Sequence, residues 1–231
     1  MSKKTWIIFV AVVVLLFGGL IFLSSRNKVD VSQVDVNKIL PATEQSGNIA
    51  DQVYGNKDAK VVMIEYGDFQ CPTCGSVHPN VKKVTEKYKA NMAFVFRNFP
   101  IATLHPNARA ASAAAEAAGL QGKYWDVHNA LFENQSQWNT LSAKERSNYF
   151  NTLAMNYGLD TKKFEADIAG NNVNQKISFD QALGKKVNVT GTPTVYMNGT
   201  AVPLETLNDQ SKLDAAVAAE LKKNGVEAST N

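Results

Sequence analysis

Cys71 and Cys74 are the only cysteines in a chain of 231 residues, and they stand three apart where an apolar run gives way to a helix-like segment. Residues at i and i+3 face each other across one helical turn, close enough for two sulfurs to bond across a Cβ gap of roughly 4 Å. A strand-to-helix junction also sets Cys71 at the helix N-terminus. There, unpaired N–H groups and the positive end of the helix dipole favour a thiolate, the form that attacks disulfides. A zinc knuckle uses the same spacing, but a structural zinc site needs four ligands, and only His78, His105 and His128 could supply the rest. A purely structural disulfide stabilises mainly by closing a long loop, and a two-residue ring constrains very little. Redox exchange is the better use of the pair.

The flanking pattern is that of an α/β fold. Val61, Val62, Met63 and Ile64 run on without alternation, as in a strand buried on both faces, and Met92, Ala93, Phe94, Val95 and Phe96 form a second such run. One helix over residues 72–88 lies between them, which makes a βαβ unit with a right-handed crossover and a parallel strand pair. Pro79 falls inside that helix, where it deletes a backbone hydrogen bond and is expected to introduce a kink.

From about residue 106 to residue 185 the period is helical only. Helices are expected over residues 106–118, 123–133, 142–157, 161–168 and 173–183, with Gly119 and Gly158 as stops. About 80 residues are too many for an ordinary connection between strands, so they read as an inserted helical subdomain. After it, runs over residues 194–197 and 201–204 flank Asn198-Gly199, the strongest short hairpin signal. An amphipathic helix over residues 208–222, with Leu213, Val217 and Leu221 on one face, closes the chain.

Residues 6–23 carry no charge and, at 1.5 Å per residue, extend roughly 27 Å as a helix. The stretch is longer than the apolar part of a secretion signal and lacks an Ala-x-Ala-like cleavage site, which favours a retained signal anchor over a cleaved peptide. Residues 1–26 are thus expected to be a cytoplasmic stub and a transmembrane anchor. Residues 27–50 are polar, lack aromatics and read as a flexible spacer, leaving residues 51–225 for the folded domain, with its insert at about residues 103–186. A net charge of +3, with no basic stripe interleaved with aromatics, points away from nucleic acid.

The assembled motifs resemble the thioredoxin superfamily: Cys71-Pro72-Thr73-Cys74 opening a helix, Pro79 five residues further on, and Gly191-Thr192-Pro193-Thr194 leading into a hairpin. The helical insert narrows the resemblance to DsbA-like thiol:disulfide oxidoreductases. The runs Val53-Tyr54-Gly55-Asn56-Lys57-Asp58-Ala59 and Glu65-Tyr66-Gly67-Asp68-Phe69-Gln70-Cys71 are similar to its membrane-anchored bacterial branch. The expected architecture is a thioredoxin fold with an inserted helical subdomain, preceded by one transmembrane helix. By the same resemblance Cys71 is the nucleophile and Cys74 the resolving cysteine, with Pro72 and Thr73 tuning the pair. Pro193 is a cis-proline packed against the disulfide, the Thr192 backbone pairs with substrate, and Glu65 is a buried acid that accepts a proton from Cys74. A carboxylate in a buried apolar strand has its pKa raised, which suits that role, although a strand Glu reaching solvent is the plainer alternative.

What the resemblance implies is an enzyme without cofactor or metal. It donates its disulfide to unfolded exported proteins and is reoxidised by a quinone-linked membrane oxidase. It is set outside the cytoplasm on a single-pass anchor, or is cleaved and secreted or periplasmic. Two other readings stay open. A reductase or isomerase uses the same site in the opposite direction, since direction depends on partner and compartment. A non-catalytic chaperone or adaptor binds peptides through the insert. His78 reads as a helix-surface residue, His105 and His128 as structural, and Trp125 and Trp138 as core or groove residues.

Overall fold

The computed structural model describes residues 3–26 and 29–227; within the first helix, the side chains at positions 8, 16 and 20–26 lie outside the described set. The chain divides into two compact units, Met1–Asp30 and Val31–Asn231. The first unit is built on helix α1, Lys3–Arg26. Its residues Trp6, Ile7, Phe9, Leu15 and Phe17 each expose more than half of their surface. The expected span over residues 6–23 falls within α1, yet among the described residues no helix is long and apolar enough to cross a membrane.

The second unit is a five-stranded sheet with helices on both faces. Its strands are β1 (Val53–Gly55), β2 (Val61–Gly67), β3 (Met92–Asn98), β4 (Thr194–Met197) and β5 (Thr200–Val202), in the spatial order β1-β3-β2-β4-β5. The central pair β2 and β3 is parallel, from Val61 opposite Met92 to Gly67 opposite Asn98, as a helical crossover requires. The three other pairings are antiparallel. Helix α2, Pro72–Lys87, makes the crossover. The insert carries α3 (Ala108–Gly119), α4 (Tyr124–Glu133), α5 (Gln135–Trp138), α6 (Ala143–Asn156), α7 (Thr161–Ile168) and α8 (Asn171–Lys186). Two helices, α9 (Leu204–Leu207) and α10 (Gln210–Lys223), follow the hairpin.

Local chemistry explains the boundaries. Ser142 and Glu145 form a reciprocal capping box at the start of α6, while Asp160 and Asp209 cap α7 and α10. Asn198 (φ 46°) and Gly199 (φ 79°) both take left-handed backbone, as a tight hairpin demands. Three elements differ from the sequence expectation. Strand β1 is three residues long and too short to show a period. Helix α5 is a single turn. A short helix, α9, precedes the closing helix, which starts at Gln210 because the Asp209 side chain accepts from the N–H groups of Ser211 and Lys212.

Alternation along β2 gives the sheet two different faces. Val61 and Met63 join Phe94, Phe96, Val195 and Met197 in the main core, packed with Val77, Val81 and Val84 of α2 and Leu213, Val217 and Leu221 of α10. The opposite face is partly ionic. Arg97 pairs with Asp51 at 2.8 Å, and Lys176 pairs with Asp51 at 3.0 Å and Asp180 at 2.7 Å; all four side chains are almost fully buried. Glu116 lies beside them, its pKa pushed up to about 8 by burial, and Asn98 donates to it at 2.7 Å. With Glu116 protonated at neutral pH, two cations meet two anions and the buried charge balances.

This network corrects the expected flexible spacer. Arg97 donates to the carbonyl oxygens of Val36 and Lys38, and Lys186 donates to those of Val31, Ser32 and Val34. Val31, Ser46 and Ile49 are buried, and a turn of 3-10 helix forms at Glu44–Ser46. The segment from residue 31 to residue 50 is therefore a strap fixed to the domain by the buried Arg97, by Lys186 at the surface and by its own buried Val31 and Ile49. Asp51→Ala leaves Arg97 and Lys176 short of a carboxylate, and breaking a buried pair costs about 3–5 kcal/mol. The expected outcome is a urea-unfolding free energy lower by that amount at pH 7; a loss below 1 kcal/mol is incompatible with the network bearing on stability.

Candidate active site

The turn between β2 and α2 is built before it is reactive. The Asp68 carboxylate is fully buried and accepts from the N–H groups of Gln70 and Ile101 at 2.8 Å, with His105 Nδ1 also at 2.8 Å. The Cys71 N–H donates to the Asp68 carbonyl at 3.0 Å. Cys71 is then the N-cap of α2 and Pro72 its first residue, where the missing N–H of proline costs nothing. Both thiols are free. Cys71 retains 7% of its surface and Cys74 none.

That difference in exposure is matched by a difference in proton affinity. The Cys71 pKa falls from an ordinary 9.0 to about 5. The Cys74 thiol, which donates to it, is the leading cause; burial opposes the shift, and Thr192 with the N–H groups of Cys74 and Thr73 assists it. Cys74 moves the other way, well above its ordinary value, because burial withholds water and Cys71 and Glu65 add negative charge. Glu65, on the Met63 face of β2, is pushed up to about 8, first by burial and then by the charge of Cys71.

Cys71 Sγ lies 3.4 Å from the Thr192 carbonyl oxygen, a contact between thiol and acceptor. The Thr192 hydroxyl is buried with no hydrogen-bond partner among protein atoms, so it is free to donate to a thiolate at the same sulfur. The Thr192–Pro193 peptide is cis. The structure thus gathers Cys71, Cys74, Glu65, Pro72, Thr73, Thr192 and Pro193 at one end of the sheet. Of the histidines, His105 supports the turn through Asp68, and the other two go elsewhere. His78 is buried and stacks on Phe132 at 4.9 Å rather than lying on the surface, and burial lowers its pKa to about 4. His128 is enclosed by Phe69 and Phe96. Trp138 is fully buried and donates to the Leu131 carbonyl, a core role.

Sequence reasoning missed the polar groups that hold this turn. Gln70 accepts from the Asn107 N–H and donates to the Asn139 carbonyl, each at 2.6 Å. Gln135 donates to the carbonyl oxygens of Phe69 and Cys71 at 2.8 and 2.9 Å. Only Asp68 had a local signal, since an Asx turn bonds two residues ahead. The others depend on pairings across 37 to 69 residues, which no local pattern reveals.

An N-terminal helix turn carrying one acidic sulfur that keeps a little surface and one fully enclosed sulfur, beside a cis-proline on a thioredoxin-like sheet, defines a dithiol-disulfide exchange site. A family profile described as Thioredoxin matches residues 47–219, and the chain belongs to that family. It is 30% identical over 187 residues to the probable disulfide bond formation protein D of Bacillus cereus, covering 74% of this chain and 79% of that protein. Its structure resembles that of a thioredoxin-like oxidoreductase from Silicibacter pomeroyi DSS-3, at 29% identity and a TM-score of 0.61 over 78% of this chain and 97% of the other. BdbD from Bacillus subtilis shares the fold at 22% identity and a TM-score of 0.65, over 80% of this chain and 98% of the other. These neighbours are DsbA-like oxidoreductases. The chain is also 35% identical over 149 residues to the Na(+)/H(+) antiporter NhaA 1 of Salinispora arenicola, a match covering 64% of this chain. It spans only 22% of that relative's length.

A cysteine whose folded pKa lies below its unfolded value binds fewer protons in the folded state between the two values. For Cys71 that window runs from about pH 5 to pH 9. Its contribution to stability is full above pH 9 and is lost as pH falls through about 5. Relative to Cys71→Ser, the reduced protein should therefore gain stability as pH rises across the window. Urea midpoints of both proteins at pH 5, 7 and 9 check this; a difference that stays flat or shrinks toward pH 9 contradicts the assignment.

Proposed function

We propose that this protein is an extracytoplasmic thiol:disulfide oxidoreductase that donates the Cys71–Cys74 disulfide to exported proteins. The observation that carries the reading is the asymmetry of the sulfurs: Cys71 caps α2 beside the Thr192 carbonyl and keeps a small exposed surface and a lowered pKa, whereas Cys74 is fully enclosed with its pKa raised. A substrate thiolate attacks Sγ of Cys71, the disulfide breaks, and Cys74 leaves with the electron pair and takes a proton. A second substrate thiolate attacks the substrate sulfur of the mixed disulfide, forming the substrate disulfide and releasing Cys71 as a thiolate. The substrate is oxidised by two electrons and the enzyme is left as a dithiol.

Direction follows from what stabilises each state. Hydrogen bonds and the helix N-terminus stabilise the Cys71 thiolate, which exists only in the reduced enzyme, so they make the disulfide a stronger oxidant. Glu65 tracks the same cycle. The negative charge of Cys71 raises its proton affinity, so reduction of the disulfide draws a proton to Glu65 and reoxidation releases it. Pro72 and Thr73 fix the helix turn that carries the pair, and the backbone at Thr192 pairs with an extended substrate by main-chain contacts that tolerate many sequences.

The setting is the outer face of a cell membrane. The uncharged run over residues 6–23 and the exposed apolar side chains of α1 support a single-pass anchor, with residues 1–5 in the cytoplasm. A quinone-linked membrane oxidase is then the natural reoxidant. The name of the Bacillus cereus relative, a disulfide bond formation protein, favours the oxidising direction. Ion transport does not carry over from the antiporters, because the shared segment is about a fifth of their length.

Cys74→Ala should accumulate mixed disulfides between Cys71 and exported proteins in the membrane fraction, visible on non-reducing gels, whereas Cys71→Ser abolishes both trapping and activity. A reduction potential near roughly −120 mV agrees with the oxidase, and one near roughly −270 mV assigns the site to a reductase.

A further inference from the structure

The first turn of α2 contains a glycine that helix propensity does not explain. Gly75 follows Cys74 inside the helix, where glycine is about 1 kcal/mol less favourable than alanine. A methyl group at Gly75 would meet Gln135 Oε1 at 2.8 Å and its Cδ and Nε2 at 3.2 Å. The missing side chain therefore makes room for one residue, Gln135 of α5, whose amide lies flat against the helix beside the reactive pair.

The orientation of that amide is fixed by its partners. Both near neighbours of Nε2 are carbonyl oxygens, those of Phe69 at 2.8 Å and Cys71 at 2.9 Å, and only an NH2 group satisfies two acceptors. The Cys71 carbonyl already accepts the first intrahelical bond, from the Gly75 N–H at 3.1 Å. Residue 70, between the two gripped carbonyls, is held by Asn107 and Asn139 through its own side chain. Three consecutive residues ahead of the helix are thus fixed from the insert, and the last of them bears the nucleophile.

We propose that Gln135 is a positioning residue that holds Cys71 Sγ against the N-terminal N–H groups of α2, and that Gly75 is glycine so that it can. Gln135 touches neither sulfur. It acts in two ways: by preventing the peptide units at residues 69–71 from turning, it keeps the sulfur within reach of the Thr73 and Cys74 N–H groups. By donating to the carbonyl of Cys71 itself, it offsets the negative end of the dipole nearest the thiolate. The thiolate is present only in the reduced enzyme, so losing either effect favours the disulfide.

The test compares Gln135→Leu and Gly75→Ala with the parent, each as the full chain in detergent micelles. The thiolate of the reduced protein is titrated by its absorbance at 240 nm, and the dithiol-disulfide equilibrium is measured against glutathione buffers. Gln135→Leu should raise the Cys71 midpoint by about one pH unit and shift the equilibrium about tenfold toward the disulfide, a potential more negative by about 30 mV. Gly75→Ala should do the same while its helix propensity improves, because the new methyl displaces the flexible end of Gln135 and leaves the backbone in place. A residue that merely packs the insert against the domain would lower the urea midpoint and leave both redox readouts unchanged. That result in Gln135→Leu overturns the proposal, and unchanged readouts in Gly75→Ala alone overturn the role given to Gly75. Neither outcome bears on whether the enzyme acts as an oxidase or a reductase in the cell, since both variants are compared by equilibrium chemistry.

Discussion

A sulfur at the N-terminus of α2 meets backbone N–H groups that have no partner inside the helix, and that single placement organises the chemistry of the second unit. For the sulfur to stay there, the chain must leave β2 and enter the helix through a turn that does not move. The buried Asp68 carboxylate satisfies the N–H groups of Gln70 and Ile101, and Pro72 begins the helix without a donor to satisfy. The same turn separates the two sulfurs by burial, since the helix rotates Cys74 inward toward Val77 and Val81 of the core while Cys71 stays at the edge. Opposite shifts in proton affinity follow from one geometric fact.

The helical insert then has a task beyond enclosing the core. Gln135 reaches the backbone carbonyls before the nucleophile with its side-chain amide, and the backbone groups of Asn107 and Asn139 bind the side-chain amide of Gln70, so amides rather than charges join the insert to the turn. Amides suit that place. A cation there would stabilise the thiolate directly but would have to be desolvated beside Cys74, whereas an amide satisfies carbonyl groups at lower cost. On the opposite face of the sheet the molecule does use charge, and there it is balanced: Arg97 and Lys176 face Asp51 and Asp180, with Glu116 neutralised by burial. On that face charge helps to fasten the strap over residues 31–50, whereas at the reactive turn the amide hydrogen bonds add to those of the buried Asp68 carboxylate.

The sequence revealed what is periodic or locally encoded. The alternation-free runs at residues 61–64 and 92–96, the Asn198-Gly199 turn and the amphipathic helices each carry their signal within a few residues, and so does the spacing of Cys71 and Cys74. The strap was misread because its order comes from partners distant in sequence: Lys186 reaches Val31 across 155 residues and Arg97 reaches Lys38 across 59. A polar segment without aromatics looks unfolded when its hydrogen-bond partners are not in view. His78 was misread for a related reason. Its place on the inward face of α2 followed from the helical period, but the stacking partner that makes burial tolerable, Phe132, belongs to the insert.

Glu65 and Thr192 show how such a site can be both buried and reactive. An acid in the sheet beneath the pair and an unpartnered hydroxyl beside Cys71 are each costly in a static interior. Both gain a use when the charge at Cys71 appears and disappears. With the thiolate present, the Thr192 hydroxyl has an acceptor and Glu65 holds its proton more tightly; with the disulfide present, the hydroxyl is left over and the acid is freer to ionise. The two groups therefore respond to the charge at Cys71 through where hydrogen bonds and protons reside. An exchange site that must pass repeatedly between dithiol and disulfide needs its neighbours to tolerate both, and a rigid turn flanked by groups that change only in protonation or in donor partner meets that requirement.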